Sequence, residues 1–211
     1  MTKPPLIKHL GLAPYEPTWR AMQAANRSRA PGVPDEFWLL EHPPVFTLGL
    51  AGKYEHVLAP LSIPVIKIDR GGQVTYHGPG QLVIYLLLDV KKLGYGAKSL
   101  VKRIEQSLID LLAEYRIDGY RLAGMPGVYV SLNDADAKIA AIGLRVANHA
   151  TYHGLSLNVD MDLEPFSRIN PCGYEGLAVT QVRNFGVTDK MAVIGEKLVS
   201  HLKANLYQLS S

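Results

Sequence analysis

Between Gln81 and Asp89 the chain reads Leu-Val-Ile-Tyr-Leu-Leu-Leu, and this is the longest strongly apolar run in the 211-residue sequence. A membrane-spanning helix needs about 20 such residues. Seven residues ended by a carboxylate read instead as a strand buried on both faces. The chain is therefore expected to build a sheet with elements packed over it, and the rest of the sequence supplies them.

The clearest helix is expected over 97–115, where Leu100, Ile104, Leu108, Leu111, Leu112 and Tyr115 recur at 3–4 spacing and Lys102, Arg103, Glu105 and Glu114 fall off that face. A shorter helix over 19–29 is stopped by Pro31-Gly32. A last helix starts near Thr188, a suitable N-cap, and turns Ile194, Leu198 and Leu202 inward. Strands are expected over 36–40, 45–50, 65–69, 128–132, 138–146 and 152–159. The polar turn Asn133-Asp134-Ala135-Asp136 joins two of them as a hairpin. The stretch holding Pro165 and Pro171 is irregular. Regular β-α-β alternation is missing, so the expectation is an α+β protein rather than a doubly wound one. No repeat, low-complexity tract or boundary divides the chain, and 1–211 reads as a single domain.

Composition limits the functions open to it. Hydrophobic residues make up 47% and charged residues 19%, which excludes a disordered or acidic-tail protein. The net charge is +3 and the isoelectric point about 8.9, too mild to argue for nucleic acid but favourable to an acidic partner. The single cysteine, Cys172, excludes an internal disulfide and a cysteine-based zinc site, and points to a reducing, cytoplasmic setting. The N-terminal segment has neither the apolar run of a signal peptide nor the arginines of a transit peptide.

Three places carry candidate chemistry. The first is the glycine-rich loop from Arg70 to Gln81, with Gly71, Gly72, Gln73, Val74, Thr75, Tyr76 and His77. It is neither a P-loop nor a dinucleotide fingerprint. It is a polar loop between two expected strands, where sites on a rigid sheet often form. The second is Cys172. A lone cysteine is as a rule an inert small hydrophobe. This one sits between Pro171 and Gly173 in a turn rather than in an apolar run, and a thiolate is a strong nucleophile toward thioesters. The third is Lys138, opening an apolar strand. It reads either as a snorkelling edge residue or as a cation that stabilises a nearby thiolate. His149 and His153 stand four apart, but their context is loop then strand and no HExxH pattern surrounds them, so no metal site is expected. A dyad of Cys172 with His77 or His153 stays open.

Together, Arg70–Gln81, Lys138-Ile-Ala-Ala-Ile-Gly143, His153-Gly-Leu-Ser-Leu-Asn158 and Asn170-Pro-Cys-Gly173 resemble, in order and spacing, the motifs of the octanoyl-[acyl carrier protein]-protein N-octanoyltransferases of lipoate assembly. The resemblance covers about residues 43–180. It implies the fold of the lipoate and biotin protein ligase catalytic domains, a mixed sheet flanked by helices plus a smaller sheet. It implies an acyl-thioester on Cys172 assisted by Lys138, with acyl contacts at Arg70 through His77, at Ala141, Ile142 and Gly143, and at Gly154, Leu155 and Ser156. Val74, Ile139, Ile142 and Leu155 would wall a slot for the acyl chain. Backbone N–H groups near Gly71-Gly72 or Gly143 would hold the oxyanion, and Lys138 or His77 would take the acceptor's proton. The implied donor is octanoyl-acyl carrier protein. The implied acceptors are lipoyl domains of 2-oxoacid dehydrogenase complexes and the glycine cleavage H protein. No cofactor, nucleic acid or membrane is implied. Lys67, Arg70, Arg145 and Arg168 are the cations expected to receive an acidic carrier at the mouth of the site, with Lys91 and Lys92 more plainly a solvated pair. Two other readings compete: an ATP-dependent lipoate or biotin ligase of the same fold, and a non-catalytic acyl-binding protein.

Overall fold

A computed structural model of the protein describes residues 4–94 and 96–207. The elements in chain order are β1 (Leu6–Leu12), α1 (Tyr15–Arg27), β2 (Glu36–Glu41), β3 (Val45–Leu48), β4 (Val65–Lys67), β5 (Val74–His77), β6 (Gln81–Leu87), α2 (Val90–Leu93), α3 (Ala97–Glu114), β7 (Gly119–Leu122), β8 (Met125–Leu132), β9 (Ala135–Ala147), β10 (Ala150–Asn158), β11 (Ala178–Val179) and α4 (Met191–Tyr207).

The apolar run forms β6, in the interior of the large sheet, whose order is β1-β2-β6-β10-β9-β8-β7. Its pairings are antiparallel except β1 with β2 and the short β11 with β9, so the sheet is mixed. A strand alternates its side chains between two faces. Leu82, Ile84 and Leu86 therefore join the core under α3 and α4, while Val83, Tyr85 and Leu87 join a second core with Met22 of α1. That division is why the run carries no polar alternation. On α3 the apolar stripe from Leu100 to Leu112 is fully buried, as its spacing predicts. A small sheet, β4-β3-β5, has its own core of Phe46, Leu48, Val74 and Tyr76.

The expected α+β architecture is present, with several corrections. The first helix starts at Tyr15, four residues before the expected start, and the last starts at Met191 rather than near Thr188. The glycine-rich stretch is not all loop: its residues 74–77 are β5, because Thr75 and Tyr76 pair with Thr47 and Phe46 of β3. Lys138 does not open its strand. β9 begins at Ala135, and Lys138 is paired with Tyr129 of β8 on one side and Val179 of β11 on the other. The hairpin turn is tighter than expected: Leu132 pairs with Ala135, leaving Asn133 and Asp134 at φ of 51° and 62° as a two-residue turn. β1 and β7 have no counterpart among the expected strands.

Candidate active site

A cleft lies between the two sheets. One lobe is lined by Thr75 and His77 of β5, Val83 and Tyr85 of β6, and Gly154 to Ser156 of β10, with Arg70, Ala141, Gly143, His153 and Tyr15 closing it. A second lobe shares Thr75, Ala141 and Ser156 with the first and runs on past Gln81 and Asn158 to Lys138, Phe166 and Pro171. Both sheets and α1 thus meet at two adjoining hollows that share three lining residues.

Strand periodicity decides which motif residues face it. On β5, Thr75 and His77 line the cleft while Val74 and Tyr76 point into the small-sheet core. Ala141 and Gly143 of β9 line it, whereas Ile142 packs against the main core and Ile139 is part of that core. Of the four residues expected to wall an acyl slot, Leu155 lines the cleft and Val74, Ile139 and Ile142 do not. Gly71, Gly72 and Gln73 are not among the residues that line either lobe. The Gly71 N–H donates to Leu144 O at 3.0 Å, so it is engaged by β9 rather than turned to an oxyanion. The loop comes this close because position 143 is glycine: a Cβ there would sit 2.9 Å from Arg70 Cδ and 3.2 Å from Gly71 O.

Arg70 is buried. Its Nη2 donates to Thr47 O at 2.7 Å and Thr47 Oγ1 at 3.0 Å, and Nη1 donates to Gly71 O at 3.0 Å. It braces the loop on β3 and is no surface cation. Arg168 is paired with Glu164, its Nε donating at 3.0 Å. Lys67 remains exposed and Arg145 is half-buried.

A chain of amide contacts crosses the cleft. The His77 Nδ1–H donates to Gln81 Oε1 at 2.7 Å, Gln81 Nε2 donates to Asn158 Oδ1 at 2.9 Å, Asn158 Nδ2 donates to Thr180 O at 2.9 Å, and Thr180 N donates to Lys138 O at 2.9 Å. The Gln81 amide sets the His77 tautomer, because its nitrogen is already given to Asn158 and to Tyr76 O. Burial, with lesser help from His42, pushes the His77 imidazole down to about 3, so it is neutral at pH 7. His42 is likewise pushed down by burial, to about 4; its Nδ1–H donates to Ala13 O at 2.6 Å and its Nε2 accepts from Tyr85 O–H at 2.7 Å.

Next to His153, which lines the first lobe, Asp69 collects four donors. Burial alone would raise its carboxyl, but His153 Nε2 at 3.0 Å, the Tyr152 hydroxyl, Trp19 Nε1 at 2.8 Å and Gln23 Nε2 at 3.1 Å hold it well below the usual carboxylate range. Burial lowers His153, which is neutral and gives its Nε2–H to Asp69. Its Nδ1 is buried with no hydrogen-bond partner among the described residues.

Lys138 is 4% exposed. Its ammonium donates to Pro126 O at 3.0 Å and lies 5.1 Å from the centre of the Tyr129 ring. Cys172 stands in the 3₁₀ turn Pro171–Gly173, whose Pro171 lines the same lobe as Lys138, and a Cβ on Gly173 would touch Gln73 at 3.4 Å. The Cys172 side chain lies outside the described residues. Tyr15, Val83 and Tyr85 line the cleft without having been candidates. Tyr15 carries no local signal, and Val83 and Tyr85 read in sequence only as core.

Fold and cleft define a class: an α+β domain with a mixed sheet, a smaller sheet and a cleft between them, with a buried lysine at one end. The chain belongs to the lipoyl protein ligase A/B catalytic domain family, which matches residues 14–203. It is 59% identical over 203 residues to the octanoyltransferase of Chromobacterium violaceum, covering 96% of each chain. It is 57% identical over 200 residues to the octanoyltransferase of Laribacter hongkongensis, covering 95% of each. The fold is also that of a bi-partite lipoate protein ligase from Thermoplasma acidophilum, with a TM-score of 0.72 at 16% identity over 98% of this chain and 85% of the other. Among the described residues no helix is long and apolar enough to cross a membrane.

Proposed function

We propose that the protein transfers an octanoyl group from octanoyl-acyl carrier protein to a lysine of a lipoyl domain, through an acyl-thioester on Cys172. The observation that carries this reading is 57–59% identity to octanoyltransferases over nearly the whole chain. The placement of Lys138 and Pro171 on one lobe supports it. In the first half-reaction the Cys172 thiolate attacks the octanoyl carbonyl, the bond to the carrier sulfur breaks, and Lys138 protonates the departing thiolate. In the second, the neutral acceptor amine attacks the Cys172 thioester, the amide forms, Cys172 leaves as thiolate, and the amine's proton passes to Lys138. Lys138 is better suited than His77 to that proton, since both His77 nitrogens face fixed partners, Gln81 Oε1 at 2.7 Å and Thr47 Oγ1 at 3.5 Å. The octanoyl chain lies along Ala141, Leu155 and Val83, where each buried methylene contributes about 0.8 kcal/mol.

The acceptors are lipoyl domains of 2-oxoacid dehydrogenase complexes and the glycine cleavage H protein, and the setting is the cytoplasm. The test is intact-protein mass spectrometry after mixing with octanoyl-carrier protein. The expected result is one octanoyl adduct on the wild type, none on Cys172→Ser, and release of the adduct by apo-lipoyl domain. Transfer from free octanoate and ATP, or transfer at the wild-type rate by Cys172→Ala, would reject the mechanism.

A further inference from the structure

Beside the cleft, and sharing no residue with it, a groove of about 710 Å³ runs between the first turns of α3 and the β7–β8 hairpin. Its apolar lining comes from Val101, Leu122 and Met125. Its charged lining is one-sided. Lys98 and Lys102 are exposed, and among the described residues no ion pair engages either. Arg121 joins them, and the one carboxylate, Glu105, is buried and already accepts from Arg121 Nε at 2.9 Å and Gly127 N at 3.1 Å. The same groove receives the positive end of α3, an 18-residue helix with no acidic residue in its first turn and no side-chain cap at Gly96. Cations, helix end and apolar floor thus converge on one surface. That surface is fixed to the proposed catalytic lysine: Pro126, in the groove wall, accepts from Lys138 Nζ at 3.0 Å.

We propose that this groove docks an acidic, apolar-faced helix of the protein that delivers the acyl thioester. The inference rests on the octanoyl-transfer reading and adds where the donor's body sits. The charge pattern selects an acidic occupant. Reach selects the donor. An acceptor lysine has only four methylenes, so its protein must press on the turn that holds Cys172. A carrier's thioester rides on a long arm, so its body can settle to one side. Arg70 and Arg168, expected at the mouth, are engaged within the protein, whereas Lys98 and Lys102 of the groove stay exposed.

The experiment is steady-state kinetics of the full-length protein carrying Lys98→Glu and Lys102→Glu together. The expected result is a rise of about tenfold or more in KM for octanoyl-carrier protein at low salt, with kcat within twofold. The KM values for octanoyl-coenzyme A as small donor and for the lipoyl-domain acceptor should stay unchanged. The wild-type KM for the carrier should climb with salt more steeply than that of the variant. Lys98→Arg with Lys102→Arg should behave as wild type. An unchanged carrier KM, an equal loss with the small donor, or a shift confined to the acceptor overturns the docking site. Wild-type protein that takes no octanoyl group from either donor overturns the transfer reading instead.

Discussion

A buried ammonium is tolerated only with partners, and at Lys138 these include a carbonyl and an aromatic face. The proposed role adds a thiolate. Alkylation of Cys172 followed against pH should give a midpoint well below the ordinary thiol value of about 8.5, and Lys138→Met should return it to that value; coincident profiles would remove Lys138 from the activation of Cys172. The residue scale also holds a sharp steric demand. At Gly154 a Cβ would come 2.0 Å from Ile84 O, a backbone atom of the neighbouring strand that cannot yield without separating β10 from β6. Gly154→Ala should cost at least about 2 kcal/mol and lower Tm by roughly 4–8 °C. A thermal scan within 1 °C of wild type would show that the sheet relaxes freely. Thr75 and His77 were legible as functional side chains in a glycine-rich stretch between strands, whereas Gly143 and Ser156 were legible only through the resemblance of their motifs to a known family. Tyr15 was not, since only the closure of α1 over the sheet brings it to the cleft.

Elements were legible where one face or both faces are dry. β6 and α3 carry their burial in their apolar pattern. β1 was illegible for the opposite reason: Leu6, Leu10 and Leu12 are exposed, and the strand is held by parallel backbone pairing with β2, which leaves no periodic mark. β5 was hidden by its company of glycines, although its alternation of Val74 and Tyr76 with Thr75 and His77 is the pattern that sorts core from cleft. The β8–β9 hairpin offers a test at this scale. Asn133 and Asp134 both hold positive φ, as a primed two-residue turn requires, and aspartate is strained there where glycine is not. Asp134→Gly should stabilise the protein by about 0.5–1 kcal/mol, and Asn133→Val should destabilise it by at least as much. Urea unfolding with both variants at or below wild-type stability would contradict this turn geometry.

For the molecule as a whole, the buried polar seam beneath the cleft couples the fold to pH. His77, His42 and His153 are all driven toward the neutral form by burial, His77 to about 3 and His42 to about 4. Released from the fold, each imidazole takes a proton near the ordinary value of about 6.5. Between about pH 6.5 and pH 4 the unfolded chain therefore binds protons that the folded chain refuses, and stability falls as pH falls through that window. Asp69 acts lower on the scale. Its donors keep it ionised in the fold, so its contribution is complete above the usual carboxylate value of about 3.9 and is lost only below it. The two effects separate by pH. Tm should drop by at least about 5 °C between pH 7 and pH 4.5 with Asp69 still ionised, and His77→Gln combined with His42→Asn should flatten that slope even while lowering Tm at pH 7. An unaltered Tm across the window, or a slope that both substitutions leave intact, would place the acid sensitivity outside the histidine seam.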